Sequence, residues 1–257
     1  MSFEFLAPDA AVEGDDFAPL AASPMAREAR AAGARFEARD GWNVAVGYTS
    51  PEQERETCRR TAGWADVSHL GKLELQAGAD DLRAIVAQAA DGATLELGTA
   101  TRVNDAWWCP LTRERAVVLC PPAATAGLRE RLEEAAAAVD GFASVVEITT
   151  KYGALTLLGP LARDVFARFS AIDLRPQVAP SGALRPGSIA RGPGMLVVEG
   201  EDRFLFTFGW ALGQYMWTTV ADAAEHLGGA PVGLDALEPV AIGMGVGGIP
   251  IKEAGRA

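Results

Sequence analysis

The sequence predicts an α+β fold built from two related ferredoxin-like (split βαβ) subdomains, and an internal repeat is the main reason. Residues 73–78 (Leu-Glu-Leu-Gln-Ala-Gly) alternate apolar and polar, and Leu82, Ile85, Val86 and Ala89 follow at helical spacing: a strand, then an amphipathic helix. Roughly eighty residues later the pattern returns. Leu155-Thr156-Leu157-Leu158-Gly159-Pro160 leads into a helical pattern whose Leu161, Val165, Phe166, Phe169 and Ile172 share one face. The second halves also match. The apolar run 115–120 precedes a helix with Leu128, Leu132 and Val139, and the run 203–208 precedes one with Leu212, Met216, Val220 and Leu227. Each unit reads strand-helix-strand-strand-helix, which closes as a split βαβ sheet with helices on one face.

The remaining elements follow in chain order. The first 40 residues, rich in Ala, Asp and Glu, predict an arm with one helical turn over 24–32. Residues 51–62 read as a short helix, with Pro51 and Glu52 in the first turn, Arg59 and Arg60 in the last, and Gly63 as its stop. The stretch 173–193, rich in proline and glycine, predicts a long loop of the kind that often binds or covers a ligand. The expected division of the chain is a discontinuous first subdomain at 1–62 plus 149–240, a second inserted at 63–148, and a tail at 241–257.

A chain of 257 residues with 49% hydrophobic residues can fill a sizeable core. Its net charge of −11 argues against nucleic acid and anionic membrane surfaces as partners. No apolar run approaches the roughly 20 residues that span a bilayer, and the acidic N-terminus is unlike a secretory signal, so a cytoplasmic setting is expected. The three cysteines, Cys58, Cys109 and Cys120, form no C-x-x-C and read as reduced thiols.

Several motifs carry less chemistry than their letters suggest. Ser68 and His69 adjoin, yet a hydrolytic triad assembles its groups from separate elements. The only other histidine, His226, suits a helix C-terminus, and no metal-ligand spacing is present. Gly243, Gly245 and Gly248 have G-x-G-x-x-G spacing without the strand and helix that a dinucleotide site needs. Asp105 is the carboxylate singled out for chemistry, because it stands at the mouth of the run Ala106-Trp107-Trp108-Cys109-Pro110-Leu111; desolvation there would tune it for proton transfer or amine recognition. Asn104-Asp105 is equally a turn pair. The six tryptophans offer flat faces for stacking or simply fill cores.

Gly33-Ala34-Arg35-Phe36, then Gly41-Trp42 and Tyr48, then Thr61-Ala62-Gly63-Trp64-Ala65-Asp66-Val67-Ser68-His69-Leu70-Gly71-Lys72 together resemble the opening of the aminomethyltransferase (glycine-cleavage T-protein) family and the folate-binding domain of heterotetrameric sarcosine oxidase. Residues 157–160 resemble the later L-x-G-P element and residues 228–234 the G-A-x-P-x-G-L close, so the resemblance covers roughly 33–237. It implies two α+β subdomains around a central folate-type cavity. With about twenty residues after Leu237, the C-terminal barrel of that family is expected to be missing.

The resemblance implies binding of tetrahydrofolate and transfer of a one-carbon unit from an amine to folate. It places Asp105 at a catalytic aspartate, Leu70 and Trp107 against the pterin, and Arg185 or Arg191 from the long loop on the folate carboxylates. A lipoyl carrier protein or flavin oxidase subunits are the partners it implies. Two elements depart from the pattern: G-E-D-G-F-E reads Gly200-Glu201-Asp202-Arg203-Phe204-Leu205, with Leu205 where a glutamate would bond the pterin, and Leu237-Glu238-Pro239 stands where an arginine is expected just after the G-L close. The alternative reading is therefore a non-catalytic subunit, similar to the gamma chain of a sarcosine oxidase-type complex.

Overall fold

A computed structural model describes residues 20–237 of the chain. It opens with β1 (Ala21–Ala22), α1 (Ala26–Ala31), β2 (Arg35–Arg39) and β3 (Trp42–Gly47). The β2–β3 hairpin, unforeseen in the sequence, turns on Asp40 and Gly41 at φ 50° and 78°, the Asp-Gly pair that a tight hairpin favours. Next comes α2 (Pro51–Arg60), started by a capping box in which the Ser50 side chain accepts from Gln53 N and Gln53 bonds back to Ser50 N.

Then follow β4 (Gly63–Asp66), β5 (Gly71–Ala77), α3 (Ala79–Ala89), β6 (Thr101–Val103), β7 (Ala106–Thr112), β8 (Arg115–Cys120), α4 (Thr125–Ala137) and β9 (Ala143–Glu147). The second run of the repeat is β10 (Tyr152–Leu158), α5 (Ala162–Ala167), β11 (Leu184–Ile189), β12 (Gly192–Gly200), β13 (Arg203–Gly209), α6 (Gly213–Glu225) and β14 (Ala230–Pro231), closed by α7 (Leu234–Leu237).

Three sheets result: β1-β3-β2, a six-stranded β11-β12-β13-β10-β4-β14, and a five-stranded β6-β7-β8-β5-β9. The two larger ones are the predicted split βαβ plans, with the first strand of each unit (β5, β10) in the interior beside the hairpin that follows. The α+β class with two related units is thus observed, and the described residues contain no barrel. Gly243, Gly245 and Gly248 lie outside the described residues, as does the predicted tail.

Three expected boundaries move. The second unit was expected from residue 63, yet β4 pairs with β10 and β14 in the six-stranded sheet, and the chain enters the five-stranded sheet only at Gly71. The helix expected to reach Ile172 stops at Ala167, where the Ser170 hydroxyl takes the Ile172 N–H and competes with the helix. The long loop contains β11, which pairs with β12 across a turn at Ala190 and Arg191, both at positive φ.

Alternation sorts the side chains. On β13, Phe204, Phe206 and Phe208 enter a core with α5 and α6, whereas Leu205 enters a second core between the two large sheets. That second core, here called the seam, joins Met195, Val197 and Leu205 to Trp107, Cys109, Val117 and Leu119. A third core lies under α3 and α4.

One buried carboxylate locks α2 to the rest. Glu54, 3% exposed, accepts the N–H groups of Tyr48 and Thr49 at 2.6 Å each and that of Gly233 at 2.7 Å. Residue 233 must be glycine for this approach, because a Cβ there would run into the backbone of Val46 and Gly47. Substituting Glu54→Ala strands three backbone donors, and a loss of at least about 3 kcal/mol is expected from urea unfolding. An unchanged midpoint would show that this carboxylate is not the lock.

Candidate functional site

The loop between β4 and β5 is held by hydrogen bonds from both sides. Asp66 Oδ1 accepts from Ser68 N at 3.0 Å, and the Ser68 hydroxyl accepts from Ala154 N at 3.0 Å and donates to Ala154 O at 3.4 Å. Lys72, 1% exposed, supports the loop from beneath by donating its ammonium to the carbonyls of Ser68 and Leu70, both at 2.8 Å. Burial lowers its pKa to about 7, and Asp66 opposes that shift. Burial likewise raises the Asp66 carboxyl, against the hydrogen bonds from Ser23 and Ser68. The result is a fixed loop that presents His69 and Leu70 outward.

They face a recess of about 220 Å³. Its apolar walls are Val67, Leu70, Pro121, Pro122, Leu234 and Leu237; its polar ones are Arg39, Asp40, His69 and Arg203. Arg39 is engaged with Asp235 at 2.7 Å and Glu37 at 3.0 Å. The His69 pKa is lowered to about 4, first by burial and then by the charges of Lys72 and Arg39, so the ring is neutral at physiological pH. A neutral imidazole offers one donor and one acceptor to whatever occupies the recess. A larger groove of about 840 Å³ lies between α3, residues 93–97 and the end of β7, and none of the residues predicted from sequence lines it.

Of those predicted residues, Leu70 alone lines the recess. Trp107 is buried in the seam, where its indole N–H donates to Glu199 at 2.9 Å. Asp105 sits outside, 59% exposed, in the positive-φ turn between β6 and β7, with Arg102 at 3.5 Å. Its carboxylate is open to solvent, and the turn accounts for its place. Arg185 donates to the carbonyls of Gly98, Val178 and Leu184, which staples the two large units together. Arg191 is an exposed residue of the β11–β12 turn. The structure therefore does not gather these five into one place.

It gathers others instead. Asp40, His69 and Arg203 were passed over; the Asp-Gly pair and the arginine that interrupts Gly200-Glu201-Asp202 were the signals available. Deeper in, Leu205 is fully buried in the seam, and beside it on β10 the Thr156 hydroxyl is buried with no hydrogen-bond partner among the described residues. One hydroxyl cannot replace the two oxygens of a carboxylate, so the seam at Leu205 does not suit the amino edge of a pterin. The recess at Leu70 instead combines apolar walls with the polar residues Arg39, Asp40, His69 and Arg203.

The profile of the GCVT N-terminal domain matches residues 25–247, which include this loop and both large sheets. The chain belongs to that family. Among relatives of this GCVT-domain chain, the aminomethyltransferase of Mycobacterium avium (strain 104) is 28% identical over 242 residues, covering 89% of this chain and 64% of that protein. The aminomethyltransferase of Saccharopolyspora erythraea is 23% identical over 237 residues, covering 87% and 64%. The chain thus spans less than two thirds of the length of these curated relatives.

Among solved structures, aminomethyltransferase T of the glycine cleavage system from Bartonella henselae superposes with a TM-score of 0.71 at 19% identity, over 84% of this chain and 60% of that one. A chain of heterotetrameric sarcosine oxidase from Corynebacterium sp. U-96 superposes with a TM-score of 0.61 at 20% identity, over 82% and 97%. At such identities these likenesses speak for the fold alone.

The lowered His69 pKa has a measurable consequence. Between pH 6.5 and 4 the unfolded GCVT-domain chain binds more protons at this residue than the folded one, so stability rises with pH across that window and is lost on acidification. The contribution reaches at most about 1.4 kcal/mol per pH unit. His69→Gln is expected to flatten the fall of Tm between pH 6.5 and 4 relative to wild type. Parallel curves would place the titration of His69 elsewhere.

Proposed function

We propose that the chain is a tetrahydrofolate-binding, aminomethyltransferase-like protein of one-carbon metabolism, cytoplasmic in setting, and that the pterin head sits in the recess at Leu70. The observation that carries this reading is the position of the opening. It lies at the Asp66-to-Lys72 loop of a chain whose family match spans 25–247. A volume of about 220 Å³ corresponds to about seven waters. That suits a bicyclic head and leaves the rest of folate outside.

The chain's own residues divide the work as follows. Val67, Leu70 and Leu237 exclude water from the ring faces; Asp40 accepts from the ring's N–H edge; His69, neutral, holds a proton on one nitrogen and can accept on the other. Lys72 holds the loop that positions His69 and Leu70. When bound, tetrahydrofolate supplies the nitrogen that receives the one-carbon unit. The amine donor, or a lipoyl carrier presenting it, would approach at the open mouth beside Asp40.

A second reading is favoured by one observation: the superposition covers 97% of a single chain of a heterotetrameric sarcosine oxidase. On that reading the chain is a gamma-like subunit that performs no chemistry and assembles with flavin oxidase subunits. Affinity purification from the native host separates the two readings, since stoichiometric flavoprotein subunits favour the second.

Calorimetry with folinic acid tests the first reading directly. Saturable heat is expected for the wild type, together with at least about tenfold weaker binding for Leu70→Trp, whose larger side chain occupies the recess, in protein that circular dichroism shows to be folded. No heat from folded wild-type protein at high micromolar ligand would remove the folate reading.

A further inference from the structure

A strand at the rim of a sheet presents a row of unpaired backbone groups, and proteins blunt such rims with shortness, proline, charge or bulges. Among the described residues, every edge strand is blunted in one of these ways except β9. β1 and β14 have two residues each, and β6 has three. β2 carries Arg35, Glu37 and Arg39, and β11 carries Pro186 and Gly187. β9 has five residues, no proline and an unbroken register with β5. Its one charge, Glu147, is met within the chain by Arg129 at 3.4 Å.

The hydrogen bonding of this strand is half used. Ile148 N donates to Lys72 O at 2.8 Å, and by the alternation of an antiparallel ladder Ser144 and Val146 also face β5. The N–H and C=O groups of Ala143, Val145 and Glu147 therefore point off the sheet, and no described residue takes them. Side chains alternate as well. Ala143 and Val145 pack on the core under α3 and α4, whereas Val146, on the other face, is 47% exposed. Phe142 stands just ahead of the strand, four residues from Val146 and so on the same face, and is 79% exposed.

We propose that β9 is the docking edge for a second copy of this chain, paired antiparallel about a twofold axis at Val145. That register overlaps the whole strand: Val145 of each copy exchanges both backbone bonds with Val145 of the other, and Ala143 stands opposite Glu147. It also sets Phe142 of each copy diagonal to Val146 of the other, within reach of an aromatic ring, so the exposed apolar side chains cover one another. Charge is complementary too. The two Glu147 lie at opposite ends of the ladder, and the exposed Asp140 ahead of one strand comes to the end where the exposed Lys151 follows the other. A second copy supplies all of these complements by symmetry, which favours it over an unrelated strand. Two five-stranded sheets then run on as one. The pairing is independent of what the recess holds, because no recess residue belongs to β9.

The test is sedimentation of the purified full chain at high micromolar concentration. Wild type is expected to sediment at twice the chain mass and to dissociate on dilution. Val146→Lys places two lysines diagonally across the axis, and Val145→Pro removes an N–H that β5 does not use. Each is expected to raise the Kd of the dimer at least about tenfold, in protein that circular dichroism shows to be folded. Tyr215→Lys, at another exposed aromatic, is expected to leave the dimer intact. A monomeric wild type overturns the proposal, whether the edge then stays empty or takes a strand from another protein. A dimer that persists in the β9 variants overturns it as well, since another surface then holds the copies. If Val145→Pro fails to fold, the wild-type mass and Val146→Lys, at a half-exposed position, still decide.

Discussion

Between the six-stranded and five-stranded sheets, Met195, Val197 and Leu205 meet Trp107, Cys109, Val117 and Leu119, and the rest of the structure depends on this apolar contact, because it joins the two large units. Burying these side chains is worth roughly 1.5–3 kcal/mol each by the usual scaling, so parting the sheets to admit a ring would be expensive. The seam is also what joins the two repeats, helped at its edge by Arg185 and the hydrogen bonds between residues 98–100 and 182–184. The recess lies at the margin of the seam, where β4 hands the chain to β5 and the rim is completed by the Asp40 turn and α7.

Polarity at that margin is built from beneath. Lys72 spends its ammonium on the loop carbonyls, Ser68 ties the loop to β10, and Asp66 closes the first turn. These bonds hold His69 and Leu70 at the recess, and the same crowding of Lys72 and Arg39 keeps His69 uncharged. The signature residues of the family thus act mostly as scaffold here. Asp40 and Arg203, which also line the recess, come from outside that loop.

The sequence carried the architecture because each repeat has a strong local signal: alternation in 73–78 and helical spacing after it, then the same order from Leu155. What it hid has physical causes. A four-residue strand such as β4 has too little alternation to show which sheet it joins, and only its pairing with β10 decides. Pro186 and Gly187 disguise β11, an edge strand that tolerates both. Asp105 drew attention through its aromatic neighbours, yet alternation sends Trp107 into the seam while the turn leaves Asp105 in solvent. Leu70 was legible from its motif. Arg203 was not, because its meaning depends on Glu199 and on Trp107, which lies 92 positions away from Glu199 in the chain.

The central claim is that the seam stays shut and the ligand lodges at its margin. A crystal structure with folinic acid bound tests it most directly. The account predicts the pterin against Leu70, His69 and Leu237, with Leu205 and Trp107 still in the same apolar core. A pterin lying between Leu205 and Trp107, with the two sheets moved apart, would contradict it.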